Sequence, residues 1–372
     1  MEILNLNDKD NKLFYIGGVV RDEILNAESF DVDLTYEGNA IEFAKNIKGL
    51  KILKVNEPFG TVRVLIKNKE VDIASTRAEK YERAGHLPTV TKIGCSLKED
   101  VLRRDFTINA LAKNVHTGEI IDFTGGLSDI KNKTIKVLHD NSFIDDPTRI
   151  LRALKFAVRF NFKLDEHTKL LRDNYLKNIN YDMSFKRLKK ELIETFNLNS
   201  QIAYEEFINA KIYKLVTPKE ASLAKINIEN FIDKYKKLIN PDNIWLIYLG
   251  TIEDLSNLEL TKEEQKIIND YNTIKNSQPK NDYEIYKLFE SLKPESVLLY
   301  GIMVNVEIAE RYLSKLKNIN VNITGKDIKS LGILPSSKYN NCFEYILKEK
   351  LKNPKLSYKE ELILAKKFFE KE

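Results

Sequence analysis

The chain has 372 residues, 42% hydrophobic and 31% charged, with a formal net charge of +5; this is a globular composition, long enough for more than one domain and too mildly basic to demand a nucleic-acid partner. Two cysteines, Cys95 and Cys342, form no CxxC pair, which argues against a disulfide scaffold and for a reducing cytoplasm. The polar start MEILNLNDKDNKLF lacks the regions of a signal peptide, and no apolar run reaches the roughly 18 residues of a membrane span.

In chain order, short β-branched or aromatic segments bounded by Gly, Asn, Asp and Lys predict strands over 13–20 (LFYIGGVV), 30–36 (FDVDLTY), 61–67 (TVRVLIK), 70–74 (EVDIA) and 119–123 (EIIDF). Helices are expected between them at 20–26, 39–47 (NAIEFAKNI) and 105–113 (DFTINALAK). The alternation implies a mixed α/β head. From about residue 147 strand signals nearly vanish. Pro147 suits a first helical turn, and Ile150, Leu151, Leu154 and Val158 come after it at helical spacing. Ser184 is the expected cap of the next helix, MSFKRLKKELIETF. Residues 201–372 continue as amphipathic helices divided by Pro218, Pro241, Pro279, Pro294, Pro335 and Pro354.

The chemistry concentrates in FYIGGVVRDEILNAESFDVDLTYEG, residues 14–38. On a strand the side chains of Asp31 and Asp33 point to one face and Val32 to the other. Two converging carboxylates repel, and a divalent cation removes the conflict. Mg²⁺ is typically held by one or two carboxylates plus substrate phosphates, and two metals roughly 3.5–4 Å apart can clamp a phosphoryl transfer. Gly17 and Gly18 let backbone N–H groups approach a triphosphate, and Arg21 adds a fork-shaped cation. The stretch is neither a Walker loop nor a dinucleotide fingerprint, since G-K-[ST] and GxGxxG are both missing.

GGVVRD followed by DVDL resembles the nucleotidyltransferases of the polymerase β superfamily, and within them the class II tRNA nucleotidyltransferase (CCA-adding) and poly(A) polymerase family. The resemblance implies an α+β N-terminal nucleotidyltransferase head, a mixed β-sheet with helices, over residues 1–135. Beyond it, an all-α neck with a base-recognition helix (136–200) and a helical, tRNA-binding body and tail (201–372) are implied. The resemblance gives Asp31 and Asp33 as the catalytic Mg²⁺ ligands and Gly18 and Arg21 as nucleotide contacts, with Gly17 beside them on the physical argument above. VLRRDFTINALA, residues 101–112, matches a second family motif, which implies nucleotide binding by Arg103 and Arg104 with Asp105 and Asn109 shaping the pocket. Paired arginines beside an aspartate at a helix start suit a ribose-triphosphate neighbourhood on physical grounds as well.

DDPTRILRALKFAVRF, residues 145–160, resembles the motif in which protein side chains read the incoming base. It implies that role for Asp146 and Arg149, with Arg152 and Lys155 nearby. Asp146 and Arg149 are three apart and so expected on one helix face. A carboxylate accepting from an exocyclic amine and a guanidinium donating to a ring acceptor match an edge that C and A share, which G and U do not present. Two departures from the family pattern stand here: Asp145 replaces its glutamate, and Lys155 replaces an arginine and loses the bidentate fork.

Asp72, in EVDIA, resembles the position of a third strand carboxylate and is a candidate metal ligand. Tyr81 to Lys98 matches a loop that the family uses when switching from C to A addition, which leans against a strict CC-adding enzyme. TGKDIKSLGILP resembles the family's tail, where Lys326, Lys329, Lys338, Lys348, Lys350 and Lys352 offer phosphate contacts. The four histidines, His86, His116, His139 and His167, have no zinc spacing. The reading is a Mg²⁺-dependent enzyme that adds or repairs the 3′-terminal CCA of tRNA from CTP and ATP and releases pyrophosphate. The alternatives are an A-adding enzyme acting on tRNA ending in CC, a CC-adding enzyme or a poly(A) polymerase, the last usually carrying a longer stretch before this motif than the 16 residues that precede GGVVRD here. The non-enzymatic alternative is an inactive RNA-binding module. No membrane is implied, and the oligomeric state is not encoded in these motifs.

Overall fold

The computed structural model describes residues 11–28, 32–66 and 68–370. Its first strand, β1 (Leu13–Ile16), is buried at every position, as befits a strand with a neighbour on either side. The chain turns at Gly17 into α1 (Gly18–Ile24), so the strand expected over 13–20 is cut short. Then come β2 (Asp33–Tyr36), α2 (Ala40–Asn46), β3 (Lys51–Asn56), β4 (Thr61–Ile66), β5 (Lys69–Ser75), the hairpin β6 (Arg77–Lys80) and β7 (Thr89–Ile93), α3 (Leu97–Leu102), β8 (Leu111–Asn114) and β9 (Ile120–Asp122). One seven-stranded sheet runs β3-β4-β5-β2-β1-β8-β9. It is mixed: β2 and β5 are parallel, and the other pairs are antiparallel.

Alternation makes the sheet two-faced. Val62, Val64, Val71 and Ile73 are buried, and α2 packs over them with Ala40, Ile41 and Ala44. Arg63 and Asp72, the intervening residues, lie on the opposite, open face. Asn39 caps α2 by accepting from the Ile41 and Glu42 amides, and the Ala40 amide donates to Ser75 Oγ at 2.9 Å, fixing the helix to the sheet.

One expected element is wrong. Residues 105–113 form no α-helix: Thr107–Asn109 is a single 3-10 turn and Leu111–Asn114 is β8, paired with β1 and β9. The alanines and leucine favour a helix in isolation, but they lie at 0% exposure between two partner strands, and sheet packing overrides propensity.

Beyond the sheet lie α4 (Gly126–Lys131), β10 (Thr134–Ile135), α5 (Ser142–Asp145), α6 (Thr148–Phe160), β11 (Lys163–Leu164), α7 (Glu166–Lys177), α8 (Phe185–Phe196) and α9 (Gln201–Asn209). Ile150, Leu151, Leu154 and Phe156 are the buried stripe of α6. α8 begins directly after Ser184.

The chain divides into two units, Met1–Thr195 with Ile202–Glu220 and Ser256–Leu258, and the remainder to the C-terminus. The described residues of the second unit are helical: α10 (Ile228–Tyr235), α11 (Ile244–Leu249), α12 (Lys262–Ile274), α13 (Asp282–Phe289), α14 (Pro294–Met303), α15 (Val306–Arg311), α16 (Gly325–Ser330), α17 (Lys338–Lys352) and α18 (Tyr358–Glu370). α14 is buried from Glu295 to Ile302. Its Gly301 has to be glycine, because a Cβ there would stand 2.8 Å from the Phe231 ring and 2.9 Å from Ala309 Cβ. The last three helices close over Ile323, Ile328, Cys342, Ile346 and Ala365. Lys350 is corrected here as a surface phosphate contact: it is 5% exposed and paired with the fully buried Glu361. Lys326, Lys329, Lys338, Lys348 and Lys352 are exposed. Cys95 and Cys342 are buried free thiols. No helix among the described residues is long and apolar enough to cross a membrane.

Candidate active site

The open face of the sheet forms a cleft of about 500 Å³ lined by Asp33, Asp72, Lys54, Arg63, Arg77, Arg103 and Arg104, with Asn56 and Thr61. Asp33 and Asp72 are register partners on the parallel strands β2 and β5, so their side chains rise from the same face as immediate neighbours. Asp31 lies outside the described residues. Asp72 is held by Arg63, whose Nε and Nη2 donate to its two oxygens, each at 2.7 Å.

The cationic wall is built on α3. Ser96 and Glu99 form a capping box at its start, and the fully buried Asp100 organises the arginines around it. It accepts from Arg103 Nη2 at 2.8 Å, from Arg104 Nη2 at 3.1 Å and from the Arg77 amide at 3.1 Å. Burial pushes the Asp100 carboxyl up, but the Arg104 and Arg103 charges outweigh it, and its pKa lies below the usual value. Arg103 also pairs with Glu79 at 3.0 Å. Arg104 lies against Gly17: a Cβ at Gly17 would come within 3.0 Å of Arg104 Nη1, and the Gly17 φ of 74° is itself a glycine conformation. Arg104 Nε is buried without a protein partner, a donor left over on the cleft wall.

Arg21, Asp105, Asn109, Arg152 and Lys155 are brought together, but in an ion network rather than on the cleft lining. Arg21 is 3% exposed, bound to Asp22 at 2.6 Å and to Asn109 Oδ1, with its guanidinium over both the Phe156 and the Phe160 rings, at 4.9 and 4.5 Å from their centroids. Burial lowers its pKa. Asn109 Nδ2 donates to Asp105 Oδ1 at 3.0 Å, and Asp105 Oδ2 accepts from Arg152 Nη2 at 2.6 Å. Arg152 and Lys155 then share Glu191, at 3.3 and 2.7 Å. Burial raises the Asp105 carboxyl, yet Arg152 and the Asn109 amide prevail, and its pKa falls to about 2. The network ties α1 and the 3-10 turn to α6 and α8.

Asp146 stands ahead of α6 with φ −143°, not on its face as the three-residue spacing implied. Pro147 disfavours the helical conformation in the residue before it. Asp146 accepts from the Thr148 hydroxyl at 2.6 Å and pairs with Arg187. Arg149 is 4% exposed; its Nη1 donates to Ser142 Oγ at 2.7 Å and its Nη2 to the Arg103 carbonyl at 3.1 Å. That last bond joins the DDPTR segment to the cationic wall. Arg149 Nη2 also reaches the Tyr81 hydroxyl at 3.3 Å. The segment after Tyr81 is anchored as well. Gly85 exchanges backbone bonds with Asp145 and Ser184, each at 3.0 Å, and Arg83 Nε donates to Asp182 at 2.7 Å.

Sequence reasoning missed Lys54, Asn56, Thr61, Arg63, Arg77 and the two organisers Asp100 and Glu191. Alternation in TVRVLI placed Arg63 opposite the valines, but nothing local paired β4 with β5. The donor set fits a hard divalent cation: two carboxylates share one face of an open cleft, and such an ion is completed by water and substrate phosphates. Among the described residues no cluster of three or more His, Cys, Asp or Glu could hold a metal.

Residues 13–136 match a family model described as the poly(A) polymerase head domain. An A-adding tRNA nucleotidyltransferase of Geobacter sulfurreducens is 31% identical over 95% of this chain, and the match spans 44% of that protein. The chain thus spans less than half the length of that relative. An A-adding tRNA nucleotidyltransferase of Halalkalibacterium halodurans is 29% identical, with 96% of this chain and 88% of that one covered. Among solved structures, the Thermotoga maritima CCA-adding enzyme complexed with tRNA superposes with a TM-score of 0.76 at 25% identity, covering 96% of this chain and 91% of that one.

Proposed function

We propose, because the chain belongs to the class II tRNA nucleotidyltransferase and poly(A) polymerase family of the polymerase β superfamily, that it adds nucleotides to the 3′ end of tRNA without a nucleic-acid template. The 3′-terminal hydroxyl of the RNA attacks the α-phosphate of CTP or ATP, and pyrophosphate leaves. The observation that carries this reading is the in-register pair Asp33 and Asp72 on the floor of a cleft walled by Arg77, Arg103 and Arg104. Asp33 and Asp72, with Asp31, are the residues that would hold a divalent cation, Mg²⁺ in this reading. When bound, the cation supplies Lewis-acid stabilisation of the hydroxyl and of the developing phosphate charge.

The chain's own side chains do the rest. Arg103 and Arg104, fixed by Asp100, hold the triphosphate, with Arg104 Nε as a donor awaiting an oxygen. Gly17 and Gly18 keep the first helical turn bare, so that the phosphates can approach the backbone. Asp146 and Arg149 read the base edge, each steadied by neighbours, Arg187 for one and Ser142 for the other. Residues 1–135 act as the catalytic head, 136–200 as the base-reading neck and 201–372 as the tRNA-holding body and tail. There the exposed Lys326, Lys329, Lys338, Lys348 and Lys352 face phosphate.

Completion of the whole CCA end is the first reading. Addition of the terminal A alone is the second, favoured by the Geobacter and Halalkalibacterium relatives, both named A-adding. The test offers the protein three transcripts of one tRNA, ending at the discriminator base, after C and after CC, each with CTP, ATP or both. Extension of all three to CCA supports full addition. Extension of the CC transcript alone, by one A, establishes the second reading, and no extension of any transcript overturns both.

A further inference from the structure

A row of charge crosses four strands on the cleft floor. Lys54 of β3 is in register with Arg63 of β4, Arg63 with Asp72 of β5, and Asp72 with Asp33 of β2. All four line the cleft. The Arg63 fork engages both oxygens of Asp72, which are the atoms Asp72 would offer to a cation. The same guanidinium reaches a second carboxylate: its Nη1 lies 3.5 Å from Glu70 Oε2. Glu70 precedes Asp72 by two residues on β5, on the same face. Arg63, Asp72 and Glu70 are 46%, 48% and 61% exposed in their side chains, so the pairing is solvated and cheap to exchange.

We propose that Arg63 is a displaceable counter-ion: it occupies Asp72 in the cation-free protein and moves to Glu70 when a divalent cation takes Asp72. This rests on the assignment of Asp33 and Asp72 to the cation. A bidentate guanidinium directs its N–H groups at the lone pairs that a cation needs, so the two compete for one carboxylate. Before the cation binds, Arg63 relieves the repulsion of two carboxylates opposite each other on neighbouring strands. It also lowers the affinity of the bare site, so that tight binding waits for the ligands that substrate phosphates add. Arg63 is therefore a positioning residue that acts through Asp72.

The test titrates the 372-residue chain, without nucleotide or RNA, with Mn²⁺, and tracks the free ion by its electron paramagnetic resonance signal. R63M is expected to bind Mn²⁺ roughly 2- to 5-fold more tightly, the fold-change of one exposed ion pair. R63K, which keeps the charge and loses the fork, is expected to fall between R63M and the parent. E70Q is expected to weaken binding in the parent and to have no effect in the R63M background. Circular dichroism confirms that each variant is folded. Equal or weaker binding by R63M, or R63K matching the parent, overturns the counter-ion role, and an equal E70Q penalty in both backgrounds overturns the transfer to Glu70. The underlying reading fails separately: D72N binding Mn²⁺ as tightly as the parent removes Asp72 from the cation site altogether.

Discussion

Asp33 and Asp72 stand opposite one another on neighbouring parallel strands, register partners on the open face of the sheet. Like charges so placed destabilise a sheet by roughly 0.2–1 kcal/mol. The strands that carry them are otherwise well packed, with Leu34 and Ile73 at 1% and 0% exposure. Arg63 offsets this repulsion at Asp72, donating to both of its oxygens at 2.7 Å, and under the proposed function the pair and the arginines around it would receive a divalent cation and a triphosphate.

Removal of divalent cations is therefore expected to abolish nucleotide addition while leaving the fold intact. Dialysis against a chelator, then assay and circular dichroism, should show lost extension, an unchanged spectrum and full recovery on adding Mg²⁺. Undiminished extension in excess chelator contradicts the cation's role.

Gly17 holds a φ of 74°, and a Cβ there would press on Arg104 at 3.0 Å. G17A is expected to cost roughly 1–3 kcal/mol of stability through backbone strain and to raise KM for the nucleotide by displacing Arg104. Urea denaturation and steady-state kinetics check the two effects. G17A with an unchanged KM would show that Arg104 does not hold the triphosphate.

The Asp105 carboxyl gives the first unit an acid-sensitive element. Its folded pKa of about 2 lies below the ordinary 3.8, so its contribution of roughly 2 kcal/mol is full above the unfolded value and drains away as pH falls toward 2. D105N is expected to lower stability at pH 7 by at least that amount, because it leaves the Arg152 charge uncompensated. Its stability should also change less than the parent's between pH 4 and about 2. Denaturation series at both ends of that range measure the difference.

Base choice is expected to depend on Asp146. D146N keeps the size of the side chain and gains a donor where only acceptors stood. The preference for C and A over G and U, read as kcat/KM for the four triphosphates, should fall by roughly 10- to 100-fold. Unchanged preference would assign base reading elsewhere.

Much of the sheet was legible because alternation leaves a direct trace: TVRVLIK and EVDIA became β4 and β5 nearly as read. β3 was not, since KILKVN is an edge strand with its side chains mostly exposed and so lacks a hydrophobic period. DFTINALAK misled because its helix formers are buried between strands, where propensity is overruled. Arg103 and Arg104 were recognisable as a motif, and the structure brings them to the cleft. The surroundings of Arg21, Arg152 and Lys155 were not legible, because Asn109, Asp105 and Glu191 meet them across 88, 47 and 36 residues of sequence. Asp146 was misplaced by counting helix periodicity across Pro147, which begins the helix rather than continuing it.

The most direct test of the central claim compares the parent with D33A in single-nucleotide extension of a tRNA transcript ending in CC, with labelled ATP and Mg²⁺. The account predicts that the parent adds one A and that D33A, folded by circular dichroism, is slower by about 100-fold or more. Extension by D33A at the parent's rate would contradict the assignment of this cleft as the catalytic centre.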